Sequence, residues 1–162
     1  MRVQPLTRSA VIQLNAPPEE VFPLFTPLGE YHWVPDWDPE FIYPASGEAG
    51  VNTVFATQHG SQPRTIWLTV VYDAEQQRAE YVNFTPDSHL SRIVITCQSH
   101  GGSQTQAAVS YTWIATGSFG QTELEKHTPE AFARRMQHWQ HAINEYLEKG
   151  AAAPPLQRPA EH

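Results

Sequence analysis

The 162-residue chain holds one cysteine, Cys97, and is poor in positive charge: Lys and Arg total 10 against 17 acidic residues, a formal net charge of −7. A single thiol forms no intrachain disulfide and no paired-cysteine metal site, so nothing points to an oxidising compartment and a cytoplasmic location is expected. The acidic balance opposes non-specific attraction to nucleic acid or to anionic lipid. No apolar run approaches the roughly 20 residues that span a bilayer, and the amino terminus lacks the basic-then-apolar order of a signal peptide, so no membrane insertion is expected. There is no Gly-rich phosphate loop before a helix and no Ser in a nucleophile elbow, which leaves phosphoryl transfer and serine hydrolysis unsupported. Charged residues reach only 17%, but 40% are hydrophobic and 11% aromatic, so the chain reads as globular and ring-rich rather than disordered. Its length suits one domain over residues 1–149, with the Ala- and Pro-rich residues 150–162 as a flexible tail.

Residues 7–14 read as a strand, and Asn15-Ala16-Pro17-Pro18-Glu19-Glu20 supplies a cap-like Asn, early prolines and acids suited to a helix amino terminus. A short helix follows through Val21, Phe22 and Phe25, limited by Pro27 and Gly29. Residues 30–40, Glu-Tyr-His-Trp-Val-Pro-Asp-Trp-Asp-Pro-Glu, read as an irregular loop pinned by buried rings, able to act as a lid. Strands are then expected at 41–44, 51–59, 64–72, 79–85, 90–99 and 104–116, separated by turn chemistry. Such short connections imply an antiparallel meander, and the first strand brings the count to seven. After a short helical turn near Gln121 to Lys126, Thr128-Pro129-Glu130 caps a long helix. Its apolar stripe is Phe132, Met136, Trp139, Ile143 and Tyr146 or Leu147, and Gly150 ends it.

The turn at Gly101-Gly102 fixes a register. Ile93, Ile95 and Cys97 are the apolar set of one strand, and Ala107, Val109, Tyr111 and Trp113 that of the next. Facing residues of an antiparallel pair share one face. A two-residue loop would set 95 against Ala108 and split the two sets, whereas a three-residue loop, Gly101 to Ser103, pairs 100 with 104 and 95 with Val109. The three-residue loop, with a glycine at positive φ, is the expectation. Residues 66–72 are apolar on both parities, with Trp67 and Val71 on one and Ile66, Leu68, Val70 and Tyr72 on the other, so the inner face stays unassigned there. An outer apolar set left exposed would favour a homodimer, and a monomeric mass by light scattering at high concentration would count against it.

This order of elements resembles the START-like, or SRPBCC, superfamily, particularly its polyketide cyclase/dehydrase-like branch. The resemblance rests on Asn15-Ala16-Pro17-Pro18-Glu19-Glu20-Val21-Phe22, on Trp33-Val34-Pro35-Asp36-Trp37-Asp38-Pro39, and on the final helix from Thr128 to Leu147, and it covers about residues 6–149. It implies an α+β helix-grip fold: a curved seven-stranded antiparallel sheet around a long C-terminal helix, with two short helices after the first strand. It also implies a cavity between sheet and helix for a small hydrophobic or aromatic molecule, without a cofactor. The superfamily spans carriers, receptors, aromatase/cyclases and chaperone-ATPase activators, so fold alone does not choose among activities.

The ring-rich composition agrees with a pocket. Its expected lining is Phe55, Trp67, Ile93, Ile95, Cys97, Val109, Tyr111 and Trp113 from the strands and Phe132, Met136 and Trp139 from the helix, with Trp33 and Trp37 closing the mouth. The bland alternative is that these rings fill a solid core or merely pin the loop. Asp36, His59, Arg64 and His89 are candidate polar cavity groups, able to move protons or hold an oxyanion as a cyclase would require. Asp between prolines is also ordinary turn chemistry, and strand-end histidines are commonly just exposed. His138 and His141 stand three apart on the helix, but polar flanks and the absence of an acid-containing zinc motif predict no metal. Cys97 reads as a small buried apolar residue rather than a nucleophile. Asn83-Phe84-Thr85 matches a glycosylation sequon, read as chance because it lies in an expected strand. The leading expectation is a binding protein. A cyclase, aromatase or dehydratase, or a protein-interaction module, are the alternatives.

Overall fold

A computed structural model of the chain describes residues 3–149, and the expected tail at 150–162 lies outside the described residues. Seven strands form one antiparallel sheet: β1 (Leu6–Leu14), β2 (Glu40–Tyr43), β3 (Val54–Thr57), β4 (Thr65–Asp73), β5 (Arg78–Thr85), β6 (His89–His100) and β7 (Gln104–Ala115). Strands β2 to β7 form a meander and β1 pairs with β7, giving the order β1-β7-β6-β5-β4-β3-β2. Between β1 and β2 lie α1 (Pro18–Val21), which continues as a 3₁₀ turn at Phe22–Phe25, and a second 3₁₀ turn at Gly29–His32. After β7 come α2 (Ser118–Leu124) and the long α3 (Pro129–Lys149). The helix-grip architecture read from the sequence is the architecture found.

The β6–β7 hairpin has the expected three-residue loop: His100 pairs with Gln104 and Ile95 with Val109, while Gly101 and Gly102 adopt φ of 67° and 83°. This register puts Ile93, Ile95, Cys97, Ala107, Val109 and Trp113 on one buried face. Two features differ from expectation. The third strand is confined to Val54–Thr57 because Asn52 turns left-handed at φ 72° and Thr53 folds its hydroxyl onto the Glu48 carbonyl at 2.9 Å. In β4 the pairing shifts, with Thr69 opposite Tyr81 but Val71 opposite Glu80. The extra residue, Val70, inverts the alternation, so Trp67 and Thr69 turn inward before it and Tyr72 after it. The bulge is why Trp67 and Tyr72, of opposite parity, share the inner face.

The inner face and α3 share a core in which Leu14, Val21 and Ile143 are fully enclosed and Phe25, Phe132 and Met136 nearly so. Burying each such side chain is worth about 1.5–3 kcal/mol. α3 runs close along β1. Gln140 and Asn144, four apart on one helix face, fasten it to the edge strand. Gln13 N donates to Gln140 Oε1 at 2.8 Å, Asn15 N to Asn144 Oδ1 at 2.9 Å, and Asn144 Nδ2 to Gln13 O at 3.0 Å. These bonds occupy backbone groups of β1 that have no neighbouring strand on that side.

On the outer face an apolar row crosses the sheet through Ile114, Leu90, Phe84 and Ile66, each paired with the next, and the first three are exposed. Beside it Glu80 is buried beneath Arg78 and Arg92, at 2.7 and 3.0 Å. Burial opposes its ionisation, but hydrogen bonds and charge from Arg92 and Arg78 outweigh that and lower the carboxyl below its ordinary range. Among the described residues no helix is long and apolar enough to cross a membrane.

Candidate functional site

The register orders the inner face into rows. Thr65, Thr85 and His89 form one at the sheet end near α2; Trp67, Asn83, Ser91 and Trp113 form the next; Thr69, Tyr81, Ile93 and Tyr111 the third; Tyr72, Ala79, Ile95 and Val109 the fourth. Successive rows are two residues apart, about 6.6 Å along the strands. Beyond them Cys97 and Ala107 are sealed, and burial pushes the Cys97 thiol up to about 12, which leaves it inert. The helix contributes Phe132, Met136 and Trp139. Tyr111 meets Phe132 at 5.8 Å and Trp139 at 6.1 Å, and Trp139 meets Trp33 at 5.3 Å.

Inward orientation and complete burial do not coincide. Val109, Ile95, Trp113 and Met136 are enclosed, whereas Trp67, Tyr72, Tyr111, Trp139 and Arg135 remain half-buried. Burial nonetheless dominates the Tyr111 phenol and pushes it up to about 12, against the opposing pull of Arg135, whose guanidinium lies 5.6 Å from the ring centroid.

Trp33 and Trp37 are anchors. Trp33 donates Nε1–H to Leu24 O and Trp37 to Pro27 O, both at 2.7 Å. Trp37 and Phe55, with Tyr31, form a separate small cluster, to which Trp67 connects by stacking on Phe55 at 5.4 Å. Two of the four polar candidates stand apart from the inner face. Asp36 is an exposed turn residue at φ 56°, and Arg64 is exposed in an ion pair with Glu40 at 2.9 Å. His59 and His89 do come together, in a cleft of about 240 Å³ at the first row, which Phe119 and Glu123 of α2 also line. His89 Nδ1 is 2.7 Å from Ser88 Oγ, and burial lowers its basicity against the pull of Glu123. On α3, His138 and His141 are exposed, and among the described residues no three His, Cys, Asp or Glu side chains are placed to hold a metal ion.

The group that the sequence reading passed over is Glu30. It is the second residue of the second 3₁₀ turn, which the buried Trp33 follows directly. Its backbone is fixed: N donates to Thr26 O at 2.9 Å and O accepts from Val34 N at 2.9 Å. Gly29 permits the approach, because a Cβ there would lie 1.9 Å from Pro23 O. Burial alone holds the Glu30 carboxyl well above the ordinary carboxylate range, and its charge in turn acts to raise Tyr81 and Tyr111. Every hydrogen bond it makes among the described residues is a backbone one. One row from Tyr81, the buried Asn83 Oδ1 also lacks a donor.

His127 marks the wall of this region. Its ring stacks on Trp113 with centroids 4.1 Å apart. Burial, then the charges of Arg135 and His89, push it down to about 4 against Glu123, with a further small push from Arg8. The unfolded chain binds this proton near pH 6.5 and the folded one only near pH 4, so stability falls as pH drops between those values. His127→Phe keeps the stack and is expected to shrink the loss of melting temperature between pH 8 and pH 5; equal losses in both proteins would contradict the assignment.

No family model and no curated protein matches the chain. Solved structures do. Norcoclaurine synthase from Thalictrum flavum superposes with a TM-score of 0.67 at 12% identity, over 91% of this chain and 89% of that one. A second structure of that enzyme, in complex with dopamine and hydroxybenzaldehyde, matches at a TM-score of 0.63 and 12% identity, over 91% of this chain and 88% of that one. A hypothetical protein from Helicobacter pylori matches at 0.67 and 8% identity, over 88% and 87%. Identities this low speak for fold alone, and together with the strand order and the long terminal helix they give this chain the helix-grip fold of those structures.

Proposed function

We propose that this protein binds a small hydrophobic or aromatic molecule between the sheet and α3. The observation that carries the reading is that Trp67, Tyr72, Tyr111 and Trp139 turn inward and yet stay half-buried, so the rings border space instead of plugging it. A fold shared with an enzyme crystallised with two small aromatic molecules agrees. Titration with apolar aromatics is expected to give a saturable change in tryptophan emission, because four of the five tryptophans surround or adjoin this space. An emission spectrum that stays constant with every such compound would refute the reading.

A second reading is favoured by one group. In a cyclase or dehydratase of the polyketide cyclase-like branch, Glu30 would be the proton donor beside Tyr81 and Tyr111, in place of Asp36 and Arg64. Loss of water from a bound poly-β-carbonyl chain, followed by mass spectrometry, is its expected sign, and recovery of the chain unchanged would exclude it for that substrate class.

A further inference from the structure

We propose that the outer face of the sheet is the contact between two copies of this chain, packed sheet against sheet about a two-fold axis that runs along the strands between β5 and β6. The inference is independent of the interior and of what the interior holds.

An antiparallel sheet with one face on the core ordinarily turns polar side chains to water on the other. Here the row Ile114, Leu90, Phe84 and Ile66 crosses four strands, and its first three side chains keep between 37% and 41% of their surface exposed. The next row adds Val82 and Leu68, which pair with each other, with Leu68 again 37% exposed. These six large apolar side chains are contiguous, and a patch of this kind marks an interaction surface.

Charge selects the partner. The chain carries a net −7, yet the charged side chains at outward positions of β1 and β4 to β7 are Asp73, Glu80, Arg78 and Arg92, which cancel. Glu80 already lies under Arg78 and Arg92, so covering it strands no carboxylate. Toward β1 the hydroxyls satisfy each other, Thr7 with Thr112 at 3.0 Å and Ser9 with Ser110 at 3.2 Å. The excess negative charge belongs to the rest of the molecule. Two copies therefore repel through other surfaces and not through this one, whereas a basic partner would be drawn away from it.

A two-fold contact must match the face to itself. Rotation about an axis along the strands between β5 and β6 exchanges those two strands, and likewise β7 with β4. The apolar row then meets itself, with Leu90 on Phe84 of the second copy and Ile114 on its Ile66. The overlap takes in about twenty side chains from each copy, which is what a standard interface uses. An axis across the strands at these rows would overlap the sheets only at their ends, because β5 stops at Thr85, one residue beyond Phe84.

The test is sedimentation equilibrium of the full chain from low to high micromolar concentration. The mass of two chains is expected, with a melting temperature that rises with concentration. Phe84→Lys and Leu90→Lys should each give the mass of one chain and a melting temperature independent of concentration. Ile42→Lys, equally exposed but on β2 outside the overlap, should stay dimeric. The axis has its own readout in the double variant Ile66→Cys with Ile114→Cys. Within one chain these positions are three strands apart, about 14 Å, too far for a disulfide. In the dimer they lie opposite, so oxidation with copper phenanthroline should give a covalent dimer that neither single variant gives. Should the lysine variants fail to fold, the cross-link decides alone. A single-chain mass at every concentration overturns the proposal and leaves the face to a partner of another kind. A dimer that survives both lysine substitutions overturns it by placing the contact elsewhere, and a dimer without the cross-link overturns the axis.

Discussion

Gly29→Ala is expected to lower stability by about 3 kcal/mol, a fall in melting temperature of roughly 6–12 °C for a chain of this size. The added Cβ would lie 1.9 Å from Pro23 O and 2.7 Å from Leu24 Cα, and both are backbone atoms that cannot swing aside. Gly29 is not at positive φ, so its conformation suits alanine and the whole effect comes from contact. The two 3₁₀ turns would have to separate, carrying Glu30 and Trp33 away from the inner face. Thermal melting checks the first consequence, and a red shift of tryptophan emission, as Trp33 leaves its contact with Trp139, checks the second. An alanine variant with natural stability would mean that the turns are not in the contact described.

Gly120→Ala should be at least as damaging, although alanine is the better helix former by about 1 kcal/mol. Here the Cβ would come within 1.7 Å of Ser88 O and 2.5 Å of its carbonyl carbon. That carbonyl cannot retreat freely, because it accepts from Thr116 N at 2.8 Å. α2 would be levered off the β5–β6 turn, uncovering the buried Leu124 and widening the cleft that Phe119 and Glu123 close. A loss of about 3 kcal/mol or more is expected in denaturant melts. Faster ligand association in the variant, should it remain folded, would identify α2 as the gate of that cleft, and an unchanged association rate would place the entrance elsewhere.

Most of this architecture is legible in the residues because it rests on periodicity. The 93–97 and 107–113 sets admit one register, the three- and four-residue recurrence from Phe132 to Ile143 admits one helix face, and both are as found. The bulge at Val70 is not legible: an inserted residue leaves no mark in a stretch that is apolar throughout, and without it Trp67 and Tyr72 seem to oppose each other. Glu30 escaped for a related reason. Attention in an irregular segment falls on the acids beside prolines, Asp36 and Asp38, yet both are exposed. The usable signal was the pairing of Gly29 with an acid three residues before Trp33, in a close-packed turn.

The amides of Gln140 and Asn144 have a bearing on behaviour in concentrated solution. A sheet terminating in an unpaired strand can template growth by a neighbouring molecule, and here the outward backbone groups of Gln13, near the end of β1, are already taken by the helix. The opposite border, β2, is four residues long, has an irregular register and runs into Pro44, which has no N–H to offer. Fibrous assembly through either border is thereby disfavoured, even though Ile42 and Tyr43 lie exposed on one of them.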